Sequence, residues 1–548
     1  MVAHHLEVER KYELADLGGQ APVIAWQFES WIADTPVVEE LYATYFDTPQ
    51  GQLAAHSLAL RRRLGGYDEG WHIKFDVSGD RHEVSFSLAE NPEDMPEDIR
   101  RFVRVLTAGS ALEPRVGLAT HRSRTVIRSS DGQALAEICD DRVQALDYAT
   151  GVERAWQEWE IELLEPAQSD ANLAHKVFST VEELLLAAGA GPSSSPAKIT
   201  RALGKDAEFE RRREAHLKQS EGLPEQGVEL SPVASADAVW RDPATSADML
   251  AEIVNRYSIE LGQADLLVRA GLPDSSHQGR VIARQLRSVL AFMAVPYAKD
   301  EQAKAQLQTI LGGLKTYASE LEQHRNGELI LPMAQLGLAR TQLLGDKDLA
   351  ELAHLEQEQT QEGLVSAMTY LNSSQRLNLQ QSLRDLQKDL DRFVDLPAQR
   401  EKYSAKVARR LQKKMVKQGL KAVKAWPDSA GDFAVTTAYD DGVHDLRKLA
   451  KATRYCLTAC ADAGISLSEG QETLLKSARL LQAELGKLTD ELTFLDWLKG
   501  LNESSTAGLS PFTVGCLAGR SEHVAQKLRE SIHSSVPPVL QKIRSIDL

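Results

Sequence analysis

Polar and apolar residues alternate along much of the first 205 positions. Near the N-terminus Glu7, Glu9 and Lys11 alternate with Leu6, Val8 and Arg10, which on a β-strand puts two carboxylates and an ammonium on one face. The alternation recurs in segments that begin at Leu41, Leu58, Gly70, Arg81, His121, Leu135 and Trp156. It sets Arg61 beside Arg63, His72 beside Lys74, Arg122 beside Arg124, Glu137 beside Cys139 and Asp141, and Glu158 beside Glu160 and Glu162. Helical patterns are predicted over 22–33, 97–107 and 171–188, and Lys198 and Arg201 follow one helical turn apart.

One charged face on one strand is most simply a solvated edge. Eight such segments predict an α+β unit: an antiparallel eight-stranded β-barrel with flanking helices, its charged faces inward and its apolar faces under helices. Carboxylates would come from the first and last strands, Lys and Arg from the middle ones. Carboxylate oxygens are hard ligands suited to Mg2+ or Mn2+, and Lys and Arg suit phosphate. Burying both sets in one lumen makes sense when a polyanion and its metal occupy it, because uncompensated buried charge is costly. An open sheet with a solvated face is the competing arrangement.

Residues 206–245 mix Gly, Pro, Ser and charge without periodicity and are predicted to be a linker. From Ser246 the pattern is helical, and a second, all-α domain built twice is expected over 246–535. An internal repeat carries it: His277, Arg280, Arg284 and Arg287 have the spacing of His444, Arg447, Lys451 and Arg454. Each set falls on one helical stripe about 15 Å long. A further basic stripe runs through Lys402, Lys406, Arg409, Lys413 and Lys417, with Arg410, Lys414, Lys421 and Lys424 beside it. A lone charge run is usually a solvated helix face; three point to a basic groove for a long, flexible polyanion.

Composition narrows the partners. The 548 residues carry a net charge of −16, which argues against a general nucleic-acid coat. No apolar run has the length of a membrane span, and the N-terminus lacks the apolar core of a signal peptide. Four cysteines without a CxxC pair fit a reducing cytosol, with Cys456 and Cys460 as core thiols. A Gly-Lys-Ser/Thr phosphate loop is missing, so phosphate binding must come from side chains.

The ordered series Glu7-x-Glu9-x-Lys11, Tyr45-Phe46-Asp47-Thr48, Leu60-Arg61-x-Arg63, Lys74, Arg81-x-Glu83, Arg122-x-Arg124, Glu137 with Asp141, and Glu158-x-Glu160-x-Glu162 resembles the CYTH domain of the triphosphate tunnel metalloenzymes. One departure is that Ser195 and Lys198, adjacent in the family, are separated here by Pro196 and Ala197. The resemblance implies hydrolysis or transfer at a triphosphate. Glu7, Glu9, Glu158, Glu160 and Glu162 would hold the metal, with Asp141 as an outer candidate. Lys11, Arg61, Arg63, Lys74, Arg122, Arg124, Lys198 and Arg201 would cradle phosphates, and Glu160, Glu162 and Lys11 stand closest to the chemistry. The helical repeat resembles the CHAD domain through Arg280-Val281, Leu336-Gly337-x-x-Arg340, Arg454-Tyr455 and Leu485-Gly486-x-x-x-Asp490. Thr341 stands where that family has Asp, and Gln285 at a commonly basic position. This second resemblance implies two pseudo-symmetric helical bundles that bind inorganic polyphosphate.

Together these features point to a cytoplasmic, metal-dependent hydrolase of inorganic triphosphate, tied to polyphosphate and its granules through the helical domain. Two alternatives compete with it. One is a non-enzymatic polyphosphate-binding protein; the other is an enzyme acting on thiamine triphosphate or a nucleotide, cyclase chemistry included.

Overall fold

The computed structural model describes residues 3–14, 24–77, 80–195, 197–205, 245–272, 274–322, 324, 333, 346–425, 437–503 and 510–548. Two compact units divide the chain, Met1–Ala238 and Val239–Leu548. Almost all of the expected linker, and the Leu336, Gly337, Arg340 and Thr341 positions, lie outside the described residues.

The first unit is an eleven-stranded antiparallel sheet. Its strands are β1 (Ala3–Glu7), β2 (Glu9–Leu14), β3 (Trp31–Ala33), β4 (Val37–Asp47), β5 (Leu58–Leu64), β6 (Gly70–Val77), β7 (Asp80–Phe86), β8 (Glu113–Ser129), β9 (Ala134–Asp147), β10 (Glu153–Leu163) and β11 (Ala190–Pro192). The order is β1-β7-β6-β5-β4-β8-β9-β10-β2-β11, with β3 added to β8. β1 and β2 are one alternating segment interrupted at Val8. Its first half pairs with β7 and its second with β10, so β1, at one end of the strand order, and β2, next to last at the other, lie on a single stretch of chain. The Val8 carbonyl still accepts from Leu163 N at 2.9 Å.

Alternation sorts the side chains as the sequence predicts. On the outer face Tyr12, Ile127, Ile138, Trp159, Ile161 and Leu163 are buried together under Val177, Phe178, Val181 and Leu185 of helix α2 (Ala171–Ala187). Asp170 caps α2 by accepting from Asn172 N and Leu173 N. Helix α1 (Glu97–Thr107) has Glu97 and Asp98 in its first turn, where the helix dipole favours them. The helix expected over 22–33 is not found in its described part. Residues 24–28 form no helix and Trp31–Ala33 is β3. Ile24, Trp26 and Phe28 pack on the outer core at every second position, so the period there is that of a strand.

The opposite face changes character along its length. Asp141 is followed on the same face of β9 by Val143 and Ala145, and Glu158 of β10 is preceded by Trp156. These apolar residues join Tyr45, Val116 and Leu118 around Ile199, Ala202 and Leu203, which lie in and beside the short helix α3 (Lys198–Ala202). One end of the charged face is therefore sealed by α3, and Lys198 enters the charged zone from there.

The second unit is built from helices, with an isolated β-bridge between Ala298 and Val394. Its α-helices among the described residues are α4 (Ser246–Arg269), α5 (Ser275–Val289), α6 (Glu301–Glu320), α7 (Asp346–Leu371), α8 (Ser374–Lys388), the short α9 (Leu390–Phe393), α10 (Arg400–Lys424), α11 (Thr437–Asp462), α12 (Glu469–Glu503) and α13 (Pro511–Ser545). A capping box of Thr245 and Asp248 starts α4. α10 to α13 share one apolar core that includes Met415, Leu446, Leu485 and Ile532. α13 continues through Pro537 and Pro538 and buries Leu540 and Ile543, so the unit runs past the expected end at 535. Cys456 and Cys460 are buried free thiols, as read from their spacing. No helix among the described residues is long and apolar enough to cross a membrane.

Candidate functional site

Register places the charged residues of the first unit in tiers. Arg122 lies opposite Asp141, and Asp141 opposite Glu158. One step along, Arg124 faces Cys139, Cys139 faces Glu160, and Glu160 faces Lys11. The next tier holds Glu137, Glu162 and Glu9.

Asp141, Glu158 and Glu160 each offer an oxygen within 4.8 Å of the others. Asp141 is 0% and Glu158 2% exposed. Lys198 Nζ stands 3.0 Å from Asp141, 2.6 Å from Glu158 and 2.7 Å from Glu160. Arg122 donates to both oxygens of Asp141 at 2.7 and 2.6 Å and to Glu160 at 3.2 Å. Lys11 pairs closely with Glu160 and lies 3.3 Å from Glu9. Burial pushes the Asp141 and Glu160 carboxyls up, but the cations outweigh it. Lys11 and Lys198 hold Glu160, and Lys198 and Arg122 hold Asp141, below the ordinary range. Asp141 and Glu160 are therefore held as carboxylates whose lone pairs are shared by ammonium and guanidinium groups. The donor set fits a hard divalent cation: three carboxylates gather where an ammonium already draws on all of them. Asp141, expected only at the periphery, sits in this cluster with Glu158 and Glu160.

The remaining acids and bases form a second group. Glu83 binds Lys74 at 2.8 Å, Arg61 at 3.8 Å and His72 Nδ1 closely. Lys74 also pairs closely with Glu7, and Arg81 reaches Glu7 at 3.6 Å and Glu9 at 3.4 Å. Burial raises the Glu7 carboxyl to about 7 against the opposing charge of Lys74. Burial lowers the His72 imidazole to about 4, and its Nε2 lies 3.0 Å from the Asp68 carbonyl oxygen. Arg63 pairs with Asp68, and Arg124 with Glu137 at 2.9 Å. Burial, with Arg61 and Arg122 nearby, lowers the Arg63 guanidinium to about 9. Arg201 stands apart: it pairs with Glu13 and lies 5.7 Å over the Trp156 ring, tying α3 to the sheet. Glu83, His72 and Glu137 were not singled out as site residues from the sequence, although Glu83 and Glu137 lie within the quoted motifs and share the inward parity of their neighbours.

In the helical unit the two repeated stripes meet. α5 packs on α11, with Cys456 Sγ 3.7 Å from the Ser288 carbonyl oxygen. Burial, opposed by the Tyr455 hydroxyl and reinforced by Arg280 and Arg447, lowers the Arg284 guanidinium. Burial together with Arg447 and Arg284 brings the Lys451 ammonium down to about 7. Arg454 lies 4.8 Å from the Tyr455 ring, Arg447 is 3.6 Å from Asp490, and Arg280 pairs with Glu322 at 2.6 Å. His277 and Arg287 are half-buried and His444 exposed on the same helices. The third stripe behaves differently. Lys402, Lys406, Arg409 and Lys413 are exposed, and Arg409 bonds the Leu548 carbonyl. The neighbouring Arg410 and Lys414 are the ones that turn toward Phe292, which follows α5.

Residues 5–191 match the CYTH domain family and residues 253–499 the CHAD domain family. An uncharacterised protein of Mycobacterium tuberculosis is 27% identical over 560 residues, spanning 99% of this chain and 98% of its own. The crystal structure of the CHAD domain from the plant Ricinus communis is 21% identical and covers 56% of this chain and 95% of its own, with a TM-score of 0.41. A Hippeastrum protein reported to have a dominant triphosphatase activity is 19% identical and covers 36% of this chain and 95% of its own, with a TM-score of 0.24. The ordered motifs, the tiers of carboxylates and the paired His-led helices thus belong to a chain that carries a CYTH domain followed by a CHAD domain.

Proposed function

We propose that the first unit is a triphosphate tunnel that hydrolyses inorganic triphosphate to pyrophosphate and phosphate with Mg2+ or Mn2+, and that the helical unit binds long-chain polyphosphate. The observation that carries the first part is the convergence of Lys11, Arg122 and Lys198 on Asp141, Glu158 and Glu160. Phosphoryl transfer needs charge neutralisation and in-line positioning more than covalent chemistry. Asp141, Glu158 and Glu160, with Glu7, Glu9 and Glu162 further along the face, would hold the cation, which supplies charge neutralisation and an acidified water. Lys11, Arg122 and Lys198 neutralise the phosphate nearest that cluster. Arg61, Arg63, Lys74 and Arg124 extend the cationic track along the same face. Orthophosphate release from tripolyphosphate with Mg2+, with Mn2+ and with a chelator tests the reading. Release that disappears with the chelator supports it; no release under any condition, with long polyphosphate still retained, favours a binding protein.

The paired stripes support the second part. Arg284, Arg447, Lys451 and Arg454 crowd like charges that a polyanion would relieve. Replacing Arg284 and Lys451 by Ala is expected to weaken long-chain binding and flatten its salt dependence, and unchanged affinity would sink the groove. A pH effect also follows. Lys451 is cationic below its lowered value near 7 and neutral above it, and only the cation attracts phosphate. Affinity measured by titration calorimetry is therefore expected to be higher at about pH 6 than at about pH 8. Equal affinities at the two values would show that Lys451 does not face the ligand.

A further inference from the structure

The end of the charged face opposite α3 carries an element that the proposed reaction leaves unused. The β5–β6 connection reads Gly65-Gly66-Tyr67-Asp68-Glu69. Gly65 and Gly66 have φ of +83° and +79°. A Cβ on Gly65 would collide with the Glu40 carbonyl oxygen, and one on Gly66 would come within 2.8 Å of the Leu41 side chain. The turn is thus laid tightly on β4 in a conformation that favours glycine. Asp68 anchors it further through Arg63 and through His72.

This course carries Tyr67 over β4 to the two strands beyond it. The Tyr67 ring centre lies 4.6 Å from the guanidinium carbon of Arg124 on β8, and its hydroxyl donates to Glu137 Oε2 on β9 at 3.1 Å. The residue is still 68% exposed. Its surroundings are acidic. Glu39 lies 3.7 Å from Arg124, and Glu162 acts on Tyr67 electrostatically together with Glu137. Along β9, Glu137 is about 13 Å from Asp141 at the rise of a strand, and Val143 and Ala145 beyond Asp141 pack against α3. The carboxylate cluster therefore lies between a sealed end and an end covered by a phenol.

We propose that Tyr67, held on Arg124 and Glu137, is a specificity-determining residue that restricts the tunnel to short phosphate chains. A chain continuing past Arg124 would have to displace the ring and enter the field of Glu39 and Glu137, where further phosphates meet like charge. The inference rests on the hydrolase reading above and deepens it.

The test is kcat/KM of the full chain for tripolyphosphate and for a longer linear polyphosphate, in wild type, Tyr67→Ala and Tyr67→Phe. The helical unit is the same in all three, so its binding cancels from the comparison. Tyr67→Ala is expected to raise the long-to-short ratio on the order of tenfold, mainly through KM for the longer substrate. Tyr67→Phe keeps the ring on Arg124 and loses only the Glu137 bond, so its ratio is expected to stay nearer wild type. An unchanged ratio in Tyr67→Ala, or an equal loss on both substrates, overturns the inference while leaving the hydrolase intact. Failure of wild type to release phosphate from either substrate overturns the hydrolase reading and this inference with it.

Discussion

Glu160→Gln is expected to cut metal-dependent phosphate release from tripolyphosphate by at least about 10³-fold, which corresponds to roughly 4 kcal/mol of transition-state stabilisation. Glu160 is where three cations from three elements meet: Lys11 from β2, Arg122 from β8 and Lys198 from α3. Glutamine keeps the length and one acceptor but removes the charge and turns an N–H group toward those cations. The substitution thus takes away a ligand for the divalent cation and also the anion that keeps Lys11, Arg122 and Lys198 together. Binding of long-chain polyphosphate by the helical unit is expected to be unchanged, which separates a lost site from a misfolded chain. Release within about tenfold of wild type would remove Glu160 from the chemistry.

Glu160 was legible in the sequence because parity on a strand is a strict rule. Glu158, Glu160 and Glu162 must share a face, and so must Arg122 and Arg124. The tiers that join them depend on register, which no single strand encodes. Asp141 shows the consequence. By parity it belongs with Glu137, but only its position opposite both Arg122 and Glu158 brings it into the cluster. The segment 24–33 failed for the opposite reason. Its apolar residues are dense enough to suggest a helix, while the partly buried positions Ile24, Trp26 and Phe28 follow a period of two.

Tyr67 left no periodic signal, because it lies in a turn and acts on strands beyond β4. The only trace of it was the Gly65-Gly66 pair. In the helical unit the spacing 0, 3, 7, 10 correctly put each His-led set on one stripe, but spacing cannot tell which neighbouring stripe looks into a groove. On α10 Lys402, Lys406, Arg409, Lys413 and Lys414 are all exposed, and it is Arg410 and Lys414 that reach Phe292 just past α5.

The largest stability effect is expected from Asp265→Ala, a change far from both stripes in kind. Arg376 is 0% exposed, although its sequence context, Ser374-Gln375-Arg376-Leu377-Asn378, reads as a solvated helix start. Its Nε donates to Asp265 Oδ2 at 2.8 Å, its Nη1 to Gln380 Oε1 at 3.1 Å, and its guanidinium lies 5.3 Å over the Tyr317 ring. Tyr317 in turn donates to Asp265 Oδ1 at 2.8 Å, and Gln380 to Ser258 at 3.0 Å. The network ties α4, α6 and α8 through one carboxylate. Removing that carboxylate strands a buried guanidinium and a buried phenol, at a cost of about 3–5 kcal/mol. The pair need not be strongly stabilising in itself, because the desolvation of both charges offsets much of their attraction. Asp265→Leu combined with Arg376→Met is therefore expected to recover most of the loss. Urea unfolding followed by far-ultraviolet circular dichroism reads both variants. A loss below about 1 kcal/mol for Asp265→Ala would mean that water reaches Arg376 and that the network is no more than a surface ion pair. A double variant as unstable as the single one would mean instead that the charges themselves, and not the packing around them, hold the three helices in place.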